Sequence, residues 1–143
     1  MTPKNSAKMV KIVAWVFIGF AFIWGLAPYQ AVNAPARALL DLLDLPFGDA
    51  ALVLNRSEMW LSSIGAGLVL ALSIMLLGIV APALEKSDKV VVRVTIWAFI
   101  GWYLVDGAGS IASGVASNVL FNSLFLGLIL APLLLVKYEN NRG

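Results

Sequence analysis

The chain has 143 residues, of which 61% are hydrophobic and 13% charged, with a net charge of +2. Soluble domains carry roughly 25% charged residues, so about half the usual charge is missing. The absence of cysteine and histidine excludes thiolate nucleophiles, disulfides, Cys/His zinc sites and histidine-ligated haem, and removes the commonest general base at neutral pH.

Four apolar stretches joined by three short polar links predict an all-α integral membrane four-helix bundle in a single transmembrane domain, with spans at approximately 9–26, 60–84, 90–113 and 119–136. The first span has Lys8 and Lys11 in front and Pro28 behind. A basic start before an apolar core also describes a signal peptide. The apolar run from Ile12 to Ala27 is long for one, however, and the small-residue site at Val32, Asn33 and Ala34 is followed by Pro35, which peptidases accept poorly. A retained helix is expected.

In the first link, Asn33 is placed to cap a helix opened by Ala34 and Pro35. Over residues 34–45, Arg37, Asp41 and Asp44 share one face, while Leu39, Leu40, Leu42 and Leu43 occupy the other. This predicts a short amphipathic helix that lies at the outer interface or covers the bundle. Pro46, Phe47 and Gly48 are expected to break it. The second span opens with a small-residue surface (Ser62, Ser63, Gly65, Ala66, Gly67) suited to close helix contact, and carries Pro82 near its inner end. The link from Glu85 to Lys89 makes the second and third spans antiparallel neighbours. A third link, Gly114 to Asn118, leads into the fourth span, which contains Pro132.

Eight of the ten basic residues fall at the N-terminus, the second link and the C-terminus: Lys4, Lys8, Lys11, Lys86, Lys89, Arg93, Lys137 and Arg142. Only Arg37 and Arg56 lie in the first link. The positive-inside rule then puts both termini in the cytoplasm. The basic residues flank apolar spans and form no dense patch, so the expected partner is the lipid bilayer and no nucleic-acid partner is expected. Trp60, Trp102 and Tyr103 fit an outer aromatic belt and Tyr138 an inner one; Trp15, Trp24 and Trp97 fit either belt or packing roles.

Asp106 is the sharpest candidate for chemistry. It lies about 17 residues past Lys89, roughly 25 Å along a helix that must cross about 30 Å. A carboxylate at that depth is costly unless paired or hydrated. Ser110 and Ser113 follow on the same face, and Asn118 and Asn122 lie four apart at the opening of the fourth span. These five side chains are expected to meet. Either they are structural glue, with Arg56 pairing to Asp106, or they line a site for a small polar ligand, proton or ion. Gly107, Gly109 and Gly114, and the spacing of Ala108, Ala112 and Ala116, are expected to permit close helix packing. No metal site, cofactor or catalytic residue is expected.

The segment from Gly101 through Trp102, Tyr103, Asp106, Ser110 and Gly114 to Asn118 and Asn122 resembles the BphX-like family of small bacterial four-span membrane proteins, mainly over residues 101–135. That resemblance implies a bacterial inner-membrane location and singles out the Asp/Ser/Asn segment; it supplies no mechanism. The leading expectation is a multi-pass inner-membrane protein of non-enzymatic role, an accessory or structural subunit of a larger membrane complex or a homo-oligomer. The alternatives are a small transporter or channel subunit with a polar site around Asp106, and a membrane enzyme acting on a lipid-soluble substrate.

Overall fold

The computed structural model describes residues 1–45 and 53–138, and among these every regular element is helical. There are five helices: α1 (Pro3–Trp24), α2 (Ala34–Leu43), α3 (Arg56–Glu85), α4 (Lys89–Ala112) and α5 (Ala116–Leu134). All but α2 are long and apolar enough to cross a membrane. The expected breaker at Pro46, Phe47 and Gly48, and the basic residue Arg142, lie outside the described residues.

The helix ends follow from local chemistry. Thr2 caps α1 through its hydroxyl, which accepts from the Asn5 N–H at 3.2 Å, and Pro3 opens the first turn. This cap starts α1 before residue 9, so Lys4, Lys8 and Lys11 ride on the helix instead of preceding it. Asn55 and Glu58 form a reciprocal capping box that starts α3 four residues ahead of the expected Trp60. Asn33 does occupy the N-cap position of α2 but does not cap it. Its buried side chain turns back to donate to the Ala27 carbonyl at 3.2 Å, tying the first link to itself.

Two tight turns connect the last three helices. Ser87 closes α3 with φ of 58°, the left-handed conformation usually given to glycine. Ser87 N–H then reaches the Leu84 carbonyl and Asp88 N–H the Ala83 carbonyl, while the Asp88 carboxylate caps α4. Gly114, φ 82°, closes α4 in the same manner, with Val115 N–H bonded to the Ser110 carbonyl at 2.9 Å. The turn is so short that α5 begins at Ala116. Asn118 therefore belongs to the first turn of α5 and not to a link.

Within α3, Leu76–Val80 forms a wider π turn immediately before Pro82. Proline cannot donate to the carbonyl four residues back and crowds it; the widened turn accommodates that break without ending the helix. In α5, Pro132 is buried and the helix ends two residues later, at Leu134.

The packing differs along the bundle. α1 runs against both segments of α3 and against α5, α4 packs along α5, and α2 lies on α1 and α5. α4 meets α3 chiefly over residues 76–85. There Leu76, Val80, Leu84, Val10, Val92, Ile129 and Leu133 form a closed core. The same end gathers the basic residues. Lys11 Nζ bonds Glu85 Oε1 at 2.8 Å, the amino group of Met1 donates to the Leu135 carbonyl, and Lys89 lies 5.3 Å from the Tyr138 ring centre. Burial pushes the Tyr138 hydroxyl above its ordinary pKa, and the Asp88 carboxylate adds to the shift. The Lys11–Glu85 pair is exposed and contributes little to stability.

The outward faces of the long helices are apolar. Trp15, Phe22, Leu68, Trp97 and Leu104 are each more than 60% exposed. An isolated chain in water would not leave so large a continuous apolar surface uncovered.

Candidate functional site

A helix repeat of 3.6 residues puts Ser110 one turn above Asp106 on α4. The Gly114 turn then folds α5 back alongside, so that Asn118 and Asn122 meet that face. Asn118 Nδ2 donates to Ser110 Oγ at 2.9 Å and to Asp106 Oδ2 at 3.4 Å; Asn122 Nδ2 also donates to Asp106 Oδ2. Ser110 and Asn122 are buried. Four of the five residues expected to cluster thus form one network. Both amides address the same carboxylate oxygen, and among the described residues no donor reaches Oδ1.

Ser113 and Arg56 stand apart from that network. Ser113 ends α4, exposed, at the edge of the cavity described below. Arg56 does not pair with Asp106: it lines a separate recess with Ser57 and Trp60 at the start of α3. α4 meets α3 chiefly over residues 76–85, away from Arg56, and residue spacing along the chain does not reveal it. The small residues divide in a similar way. A methyl group at Gly65 would come within 2.2 Å of the Trp24 ring, so this glycine seats the indole, and Ser62 and Ala66 are buried beside it. Ala108, Ala112 and Ala116 face outward. Gly107 is buried, but among the described residues none comes within 4 Å of where a Cβ would stand at Gly107, Gly109 or Gly114.

Where α3 and α4 part, the bundle forms a half-open cavity of about 790 Å³, within the range of small-ligand sites. Asp106, Ser110, Asn118 and Asn122 line one wall. Six Phe and Trp side chains line much of the rest, and their edge-to-face contacts fix them as a wall. Phe125 meets Phe17 at 5.2 Å and Phe20 at 5.4 Å, Phe20 meets Trp24 at 5.8 Å, and Phe99 meets Trp102 at 6.4 Å between ring centres. Trp102 therefore faces inward instead of joining an outer belt; the 65%-exposed Trp60 remains in the position that a belt requires. The Trp24 indole N–H is buried with no hydrogen-bond partner among the described residues.

The short helix α2 covers this end. Its Leu40, Leu43 and Asp44 line the cavity, as does Glu58 from the capping box. Asp44 is thus a cavity residue, although the sequence pattern puts it on the polar outer face. Ser117 fastens the cover. Its hydroxyl donates to the Leu43 carbonyl at 2.7 Å and accepts from the Leu45 N–H at 3.1 Å, joining the end of α2 to the first turn of α5. Sequence reasoning missed Asp44, Glu58 and Ser117 as site residues. Only Glu58 left a local signal, the Asn-x-x-Glu capping pattern.

Among the described residues, three carboxylates, Asp44, Glu58 and Asp106, therefore line the cavity, and no lysine or arginine does. They do not converge: among the described residues no group of three acidic side chains could hold a metal ion. Comparison of the chain with protein-family models, curated proteins and solved structures gives no match in any of the three.

Proposed function

We propose that the chain is a multi-pass protein of a bacterial inner membrane, a four-helix bundle with both termini cytoplasmic, and that it binds a small ligand in the cavity beneath α2. This is the transporter or channel-subunit type of role, not an enzymatic one. The supporting observation is the conjunction of the cavity with Asp106, whose Oδ1 has no donor among the described residues while its other oxygen is held by two amides. A carboxylate serving only as glue between α4 and α5 needs no adjoining space of about 790 Å³. The basic end supports the orientation, because it joins the N-terminus, the α3–α4 turn and the C-terminal segment. The resemblance to BphX-like proteins points to the same segment.

The accessory or structural reading has one observation in its favour: the Asp106 network ties α4 to α5. Asp106→Asn separates the two. A ligand-binding role predicts normal yield and oligomeric state with lost uptake or binding in proteoliposomes. A structural role predicts the reverse, with reduced assembly.

A further inference from the structure

The geometry points to a lipophilic organic cation, one that carries its positive charge among aromatic or alkyl groups, as the class of ligand taken by this cavity. This inference rests on the ligand-binding reading above and specifies it. Each wall contributes a constraint. Asp106, Asp44 and Glu58 give the cavity a negative potential that no lysine or arginine lining it among the described residues offsets, so an anion would meet like charge there. The rings of Phe20, Trp24, Trp102 and Phe125 offer their apolar bodies and the negative potential of any face turned to the space; both favour a desolvated organic cation. The unpartnered Trp24 N–H adds a donor for a ligand that also carries an acceptor atom.

A hard metal cation fits less well. It requires several oxygens closing around one point at about 2.0–2.6 Å, whereas these three carboxylates are spread too widely to meet at one ion. Charge distributed over a volume of about 790 Å³, with aromatic walls between the acids, suits a bulky cation. The hydrogen bonds fix its anchor. Asn118 and Asn122 hold Asp106 Oδ2, which orients the carboxylate and leaves Oδ1 for the ligand. Asp44 and Glu58, nearer the cover, give an entering cation two earlier points of attraction.

The test uses the purified full chain in nanodiscs, with empty nanodiscs subtracting partition into lipid. Tetraphenylphosphonium is the probe, and tetraphenylborate is its counterpart of similar shape and opposite charge. The neutral dye N-phenyl-1-naphthylamine reports whether the cavity binds at all. Saturable tetraphenylphosphonium binding that quenches tryptophan fluorescence and displaces the dye is expected, with no saturable tetraphenylborate binding. Asp106→Asn should weaken the cation by at least about tenfold, because a full charge is removed from a poorly hydrated site. Asp44→Asn should weaken it by about two- to fivefold, because Asp44 attracts the cation without being its hydrogen-bonded anchor. Asp44 makes no side-chain hydrogen bond among the described residues, so this second variant decides the matter if Asp106→Asn fails to fold. Equal binding of tetraphenylborate, or unchanged cation affinity in both variants, overturns the cation class. Dye binding without cation binding overturns the class and leaves the ligand-binding reading intact. Failure of every probe removes both.

Discussion

The two halves of this bundle are made from the same four long helices and end in opposite states. Toward the basic end, α3 and α4 touch, and Leu76, Leu84, Val92, Ile129 and Leu133 fill the space between the helices. Toward the other end α3 and α4 part, α2 lies across α1 and α5, and aromatic rings and carboxylates face a cavity. The long helices have apolar exteriors in both halves. The difference therefore arises from which residues point inward: aliphatic side chains that interlock in one half, and rings, amides and acids that leave room in the other. One half is filled by its side chains, and the other leaves a cavity.

The comparison makes its strongest prediction about packing. Leu84 is completely buried in the closed half. Leu84→Ala should cost about 2–5 kcal/mol in reversible unfolding in mixed micelles, because a rigid, filled site cannot collapse around the loss. Gly109→Ala, on the cavity wall with nothing within 4 Å of the new methyl, should cost nothing and gain up to about 1 kcal/mol from helix propensity. Equal losses from the two variants would erase the distinction between the halves.

A second prediction concerns the border between them. Gly65→Ala puts a methyl into the Trp24 ring, and overpacking of this kind costs about 1–3 kcal/mol. Trp24 lines the cavity, so its displacement should also shift the tryptophan emission and change ligand affinity. Loss of stability with unchanged emission would mean that the indole does not sit where α1 and α3 cross.

The smallest effect is expected at the cover. Ser117→Ala removes both hydrogen bonds that join α2 to α5, a loss of about 1 kcal/mol. Global stability should barely move, while amide exchange over residues 34–43 should rise. Unchanged exchange there would show that apolar contact alone holds α2 down.

Much of this was legible in the sequence because it depends on position along one axis. Span lengths, basic flanks and the short turns all follow from hydropathy and spacing. The meeting of Asp106, Ser110, Asn118 and Asn122 follows because i, i+4 repeats face one way and a tight turn brings adjacent helices together. Azimuth was not legible. The sequence locates Trp102 near the membrane interface, but whether the ring faces lipid or cavity depends on the rotation of α4. The same limit led the small residues of α4 to be assigned to packing. Contacts across long separations were also hidden: Ser117 and Leu43 are 74 residues apart, and nothing local to either marks the other.

The sequence contains no cysteine, which permits a direct test of the claim that the cavity and the basic end face opposite sides of a membrane. Single cysteines are introduced as Ser113→Cys, at the exposed edge of the cavity, and Lys86→Cys, in the α3–α4 turn. Intact cells with a permeabilised outer barrier are treated with a membrane-impermeant maleimide. The account predicts that Ser113→Cys is labelled directly and Lys86→Cys only after the inner membrane is opened. Labelling of both from the same side, or of Lys86→Cys alone in intact cells, would contradict it.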